Sequence, residues 1–279
     1  MMNSNFASKT TSFRALHQRA GAFVIPNPWD VGSARLLASL GFEALATTSA
    51  GLAFSLGRPE GLLSREEVLA HCRAIVGATG LPVSADLEKG FGDSPESAAE
   101  TIRAAAETGL AGCSIEDHTG RRDDPIYDAT LAVERIAAAV EAARGLGRDF
   151  VLTARCENFL WERPDLDDTL RRLQAFEAAG ADVLYAPGLR DLEAIRTVCA
   201  ALKKPVNVVM GLPGAVFTVR ELAEAGVKRI SVGSALARLA YGACIAAAEE
   251  IAATGSFTAL SNAIGFAALE DRFRPFEAS

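Results

Sequence analysis

One unit recurs along this chain and limits what it can fold into. A short apolar run rich in β-formers is followed by a polar or glycine-containing turn, then by an alanine- and leucine-rich helical stretch. The apolar runs are AFVIPNP from Ala22, ALATTSAG from Ala44, LPVSADLE from Leu81, GCSIEDHT from Gly112, FVLTARCE from Phe150, DVLYAPG from Asp182, PVNVVMG from Pro205 and RISVGSA from Arg229. The helical stretches fall at about 31–40, 64–79, 95–108, 129–145, 166–179, 190–202, 215–225 and 235–253. Ser64 with Glu67 makes a capping box, and Ser94-Pro95 supplies a cap and then a proline at the first helical position. Eight strand–helix units in succession predict an α/β fold, a (β/α)8 TIM-type barrel, as one domain over residues 1–279. An open doubly wound sheet would carry GxGxxG, or GxxxxGK with Ser or Thr, after a strand; neither occurs. Outside the eight units we expect a flexible arm over about 1–10, a helix around 11–20 and a helical tail over about 256–279. The tail has apolar residues at helical spacing, so it has to cover something, on its own barrel or on a neighbouring subunit.

Composition narrows the partners. The formal net charge of −7 argues against nucleic acid and anionic membrane. No run of about 18 apolar residues is present to span a bilayer, and MMNSNFASKTTSF lacks the apolar core of a signal peptide. Five cysteines, far apart and without a CxxC, read as reduced thiols of a cytoplasmic protein.

Chemistry in such a barrel collects at the C-terminal ends of the strands. Side chains alternate along a strand, so Ser84, Asp86 and Glu88 are expected on one face of the third. Ser114 and Glu116 share a face on the fourth; Thr153, Arg155 and Glu157 share one on the fifth. Asp86, Glu88, Glu116 and Arg155 then meet at the mouth, as a structural ion-pair rim or around a hard cation. Carboxylates without histidine or thiol partners favour Mg²⁺, with Mn²⁺ as its substitute. Exposed N–H groups in TTSAGLAF, after the second strand, suit a carboxylate or phosphate.

These stretches, with PNPWDVGSARLLASLGFEALATTSAGLA, SADLEKGFG, AGCSIEDHTG, FVLTARCENFL and PVNVVMG, resemble the isocitrate lyase / phosphoenolpyruvate mutase superfamily from about Phe13 to Ala243. The resemblance implies a Mg²⁺-dependent barrel that makes or breaks a C–C, or less often P–C, bond beside the carboxylate of a small 2-oxo or 2-hydroxy acid through an enolate held on the metal. It implies a homotetramer that exchanges terminal helices. Ser49, Ala50, Gly51 and Leu52 match the segment whose backbone holds the substrate. Asp86 matches the principal metal-binding aspartate, Glu88 the second acid, and Glu116 the glutamate that approaches the metal. Arg155 matches the substrate-binding arginine, and Asn207 a polar contact from the seventh strand.

The chain also departs from the pattern. The usual Asp-x-Asp is Asp-Leu-Glu, and the aspartate that follows the second strand in many members is Glu60. After strand four the chain reads EDHTGRRDDPIYD, without the cysteine and lysine of the lyase loop or the lysine and asparagine of the mutase loop. His118, Tyr127 and Arg122 are the residues left to supply a proton, His118 first because of its intrinsic pKa. Two other functions are open. A Schiff-base aldolase would need a lysine in the barrel, and Lys89 is the one near a strand end. A barrel that binds a 2-oxo acid without turnover would explain the missing lyase loop.

Overall fold

The computed structural model describes residues 4–214 and 216–277. The eight expected strands form: β1 (Phe23–Ile25), β2 (Leu45–Ala46), β3 (Val83–Asp86), β4 (Gly112–Glu116), β5 (Val151–Arg155), β6 (Val183–Tyr185), β7 (Val206–Val209) and β8 (Arg229–Ser231). They pair in parallel in the order β1-β8-β7-β6-β5-β4-β3-β2. The Ala46 N–H donates to the Pro26 carbonyl and Asn27 Nδ2 to the Thr47 carbonyl, which links the two ends. This is a nearly closed (β/α)8 barrel.

The helices are α1 (Ser4–Gln18), α2 (Val31–Ser39), α3 (Ser49–Ser55), α4 (Arg65–Ala78), α5 (Pro95–Ala106), α6 (Ala129–Arg144), α7 (Leu166–Ala178), α8 (Leu192–Ala201), α9 (Val219–Glu224), α10 (Ala235–Thr254) and α11 (Phe266–Phe273). The capping box at Ser64 and the Ser94-Pro95 cap form as expected. Two differences stand out. The N-terminal helix begins at Ser4, so most of the expected arm is helical; residues 1–3 lie outside the described residues. The expected start of α9 at 215 also falls outside them. And α3 was not expected, because a run of serines and small residues carries no helical period; Thr48 starts it by accepting the Gly51 N–H.

The barrel register places the polar side chains at different heights. Glu116 pairs with Arg155, Arg155 with Tyr185, Tyr185 with Asn207, and Asn207 with Arg229. Glu116 and Arg155 end their strands while Arg229 begins its own, so this tilted row descends from mouth to floor. At the floor, Arg229 is buried and donates to Asn207 Oδ1 and Thr153 Oγ1. Below it α1 plugs the barrel with Phe13, Leu16 and His17, against Phe23, Ile25, Val151 and Val183. The His17 Nδ1–H donates to the Phe13 carbonyl at 2.9 Å, and its Nε2 lies 3.5 Å from Arg229 Nη1.

All five cysteines are free, and no helix among the described residues is long and apolar enough to cross a membrane. The tail folds back on its own barrel, with α11 against α2 and Arg35 paired to Glu277. Much of α10 and the tail remains exposed, including Leu239, Ile245, Phe257, Ile264 and Phe266.

Burial, and then the charge of Arg229, push the His17 imidazole down to about 3. An unfolded imidazole titrates near 6.5, so below that pH the unfolded chain takes up a proton that the folded one refuses. This contribution therefore removes stability as pH falls from 6.5 toward 3, by at most about 1.4 kcal/mol per pH unit. His17→Gln lacks that term. Urea unfolding at pH 7.5 and 5 should show wild type losing more stability than the variant; an equal loss would place the proton elsewhere.

Candidate active site

The mouth of the barrel opens into a cavity of about 820 Å³, including its open entrance. One arc of its wall is polar and comes from the ends of β2 to β5, with Thr47, Ser49, Glu60, Asp86 and Arg155. Tyr185, Pro187, Val209 and Leu212, after β6 and β7, form the other side, and Leu160 joins them from the segment after β5.

Asp86 closes β3 and is held by four donors. Its Oδ2 accepts from the Ser49 N–H at 3.2 Å and the Ser49 hydroxyl at 2.9 Å. Its Oδ1 accepts from the Glu88 N–H at 3.3 Å and from Arg155 Nη1 at 3.0 Å. The Asp86 N–H donates to Thr47 Oγ1, which fixes the strand end from behind. Ser49 Oγ also lies 2.7 Å from Glu60 Oε1, so its one proton can be donated to either acid. Ser49 can stand there because α3 packs close to the segment after β1. A Cβ on Gly51 would lie 2.5 Å from Thr48 Cγ2 and 3.0 Å from Trp29 Cβ, and glycine avoids both.

Arg155 is the centre of charge. Its Nη1 meets Asp86 at 3.0 Å, its Nη2 meets Glu116 at 3.1 Å and its Nε meets Glu157 at 2.8 Å. Its guanidinium also sits 5.2 Å from the Tyr185 ring centre. Burial works against this cation, but Glu157, Glu116 and Asp86 outweigh it and hold the proton on well above the usual range. The acids respond in the other direction. Burial, then Asp86, Glu116 and Glu60, push Glu88 up to about 8. Burial raises Glu116 and Glu157 to about 7 each, against the pull of Arg155. The mouth therefore has more carboxylate than one guanidinium balances.

Comparison with known proteins decides the family. The phosphoenolpyruvate phosphomutase family model matches residues 13–252. A structure from Burkholderia cenocepacia J2315, provisionally described as a lyase/mutase, is 57% identical over 97% of each chain, with a TM-score of 0.95. The 2-methylisocitrate lyase of Escherichia coli K12 is 31% identical over 77% of this chain and 75% of that protein. An oxaloacetate acetylhydrolase solved with its product oxalate is 26% identical over 98% of this chain and 96% of that one, with a TM-score of 0.86. The chain belongs to the phosphoenolpyruvate mutase / isocitrate lyase superfamily. Its relatives by name are lyases and mutases, which makes it a lyase-like enzyme by family.

Within that superfamily frame the expected residues sort unevenly. Asp86, Glu116 and Arg155 come together as expected, and Glu88 is electrostatically coupled to them, but of these four only Asp86 and Arg155 line the cavity. The reason for Glu88 is not strand alternation, because β3 ends at Asp86. Glu88 has a φ of 49°, and this left-handed turn sets its direction. Ser49 and Ala50 line the cavity, whereas Gly51 and Leu52 do not. The Gly51 N–H goes to Thr48 Oγ1 and the Leu52 N–H to the Thr48 carbonyl, so both serve the helix cap. Asn207 lines the cavity, but its amide already bonds Arg229 and Ser231.

The three expected proton donors do not line the cavity. His118 is stacked on Trp161 with ring centres 3.9 Å apart, and its Nδ1 is 3.7 Å from Glu116 Oε1. Burial lowers its pKa. The Tyr127 hydroxyl donates to Asp93 at 2.6 Å, and Arg122 is exposed. The cause is local: Thr119 and Tyr127 bond back to the 117–125 backbone, and Lys89 ties Asp93 to the Thr119 carbonyl. Lys89 is thereby engaged away from the cavity, which removes the amine near a strand end that a Schiff base needs. Glu157 was visible on the face of Arg155 but not expected in the site. Its place there follows from the same alternation, although β5 stops at Arg155.

The donor chemistry suits a hard cation. Asp86, Glu88, Glu116 and Glu60 offer oxygen alone, with a surplus of negative charge. Among the described residues no three His, Cys, Asp or Glu side chains are grouped closely enough to hold a metal ion between them. Mg²⁺ needs one or two carboxylates and otherwise takes water and substrate oxygens, so these residues fit it.

Mutual repulsion among these acids gives a test. At pH 8.5 in EDTA, Glu88→Gln should raise unfolding stability by on the order of 1 kcal/mol, because it removes a charge from a crowded site. A loss of stability in chemical denaturation would mean that Glu88 is held by favourable contacts instead.

Proposed function

We propose that this protein is a Mg²⁺-dependent lyase that breaks or forms a C–C bond beside the carboxylate of a small 2-oxo or 2-hydroxy acid. The observation that carries the reading is the Arg155 guanidinium set between Asp86, Glu116 and Glu157 at the wall of the cavity. The lyase and acetylhydrolase relatives support the reaction type.

Asp86 would hold the cation directly, with Glu88 and Glu116 holding its waters. When bound, the cation would polarise the substrate's carboxylate and 2-oxygen and lower the cost of negative charge that develops as the adjacent bond breaks. The other roles belong to side chains. Arg155 presents a planar fork that matches a carboxylate, and Glu157 and the Tyr185 ring keep it in place. Ser49 and Ala50 offer a small polar wall for the substrate's charged end. Glu116 does not line the cavity, so it would act on the site through Arg155, which its Oε2 pairs, and through the cation's waters. The segment from 119 to 127 would exclude water above the site. The enzyme would work in the cytoplasm as a homotetramer, with the exposed faces of α10 and the tail buried between subunits.

A second reading, a 2-oxo-acid-binding barrel without turnover, is favoured by one fact: none of His118, Tyr127 and Arg122 lines the cavity. A single assay separates the two. Incubated with a panel of C3 to C6 oxo and hydroxy acids and MgCl₂, the wild type should release a cleavage product seen by NMR. EDTA should abolish it, and Asp86→Ala should lower kcat/KM by about 10²–10³-fold or more. Binding without product would favour the second reading, and turnover indifferent to EDTA would refute the metal dependence.

A further inference from the structure

On the far side of the α1 plug, at the N-terminal ends of β5, β6 and β7, the surface folds into a second hollow of about 970 Å³ including its opening. Val151, Val183, Leu202 and Val206 give it an apolar wall, and its lining shares no residue with that of the mouth cavity. His17 lines the hollow and Arg229 the mouth cavity, and these side chains lie 3.5 Å apart, so the pair is part of the partition between the two. The hollow is basic. The chain has five lysines and a formal net charge of −7, yet three of those lysines, Lys203, Lys204 and Lys228, line this one feature.

The acids nearby are largely committed elsewhere. Arg14, on the wall, meets Asp149 at 2.8 Å and Asp182 at 3.1 Å, and Asp182 also takes Arg144 at 3.0 Å and the Leu152 N–H at 2.9 Å. Those two arginines and two aspartates cancel. Lys228 donates to the Arg19 and Gly21 carbonyls, which hold it in place without neutralising it. The ammonium groups of Lys203 and Lys204 have no acid partner among the described residues; Glu177 accepts their backbone N–H groups instead, at 2.7 Å each. Three ammonium groups against the one carboxylate of Glu177 leave an excess of two positive charges. An apolar wall behind such an excess focuses the field into the hollow and draws in anions. The donors also select among anions. A planar carboxylate is best met by an arginine fork, and that of Arg14 is already filled by two aspartates. Ammonium groups act as point charges with rotatable donors, which suits a tetrahedral dianion. We infer that this hollow is a second ligand site, separate from the mouth, that takes a phosphate group, either free or as the end of a small organic phosphate.

Calorimetric titration of the full chain at pH 7.5 tests this with inorganic phosphate, glycerol 3-phosphate and, as a planar dianion, malonate. EDTA in the buffer keeps divalent cations from drawing phosphate to the acids of the mouth. At least one of the two phosphates should bind at one per chain with a Kd below about 1 mM, and malonate more weakly; the tighter of the two phosphates identifies the source. Replacing both exposed lysines, Lys203→Ala with Lys204→Ala, should weaken that binding by about tenfold, and circular dichroism would verify that the double variant folds. Ser49→Ala, in the mouth, should leave the affinity unchanged. No binding of either phosphate, malonate that binds as tightly, an affinity indifferent to the lysine pair, or one that falls in Ser49→Ala would each overturn the assignment.

Discussion

Arg155 balances the charge of the barrel mouth. Each nitrogen of its guanidinium meets a different carboxylate: Asp86 at the end of β3, Glu116 at the end of β4 and Glu157 just past β5. Burying an acid in this way is unfavourable unless it is paired, and Asp86, Glu116 and Glu157 share one partner. The imbalance that remains shows in Glu88, Glu116 and Glu157, all pushed toward neutrality by burial. A site with spare negative charge is costly in an isolated protein and suited to a cation and an anionic substrate. That tension between stability and binding is usual at working sites.

The barrel makes this arrangement possible through its register. The tilted row from Glu116 through Arg155, Tyr185 and Asn207 to Arg229 carries polar groups from mouth to floor. At the floor a second arginine is satisfied by neutral partners, Asn207, Thr153 and His17, rather than by acids. Burial lowers Arg229 to about 10. So two arginines inside one barrel have opposite surroundings, acids around Arg155 near the mouth and neutral partners around Arg229 at the floor, and both line the cavity. The plug by α1 closes the floor and leaves the mouth as the open end.

Much of this was legible in the residues. The eight apolar runs, spaced by helical stretches, contained the barrel because each β-α unit is local in sequence. Alternation brought Ser84, Asp86 and Arg155 to the correct face because those residues are in strands. It misled at Glu88, which lies past the strand in a left-handed turn. It could not foresee that Thr48 would use the Gly51 and Leu52 N–H groups for a helix cap. Nor could it foresee that His118 would turn onto Trp161, a contact set by loops forty residues apart. The basic hollow beyond the plug was invisible for the same reason: its walls come from separate segments, and only the folded chain juxtaposes them.

The dependence of the mouth on Arg155 is best tested by a double-mutant cycle with Arg155→Met and Glu116→Gln, followed by denaturant unfolding in EDTA at pH 8. Removing Arg155 alone leaves unpaired acids and should cost about 3–5 kcal/mol. Neutralising Glu116 in that background should return part of the loss, with a coupling above about 1 kcal/mol. Losses that simply add, within about 0.5 kcal/mol, would mean that Arg155 does not balance these carboxylates and would contradict the account.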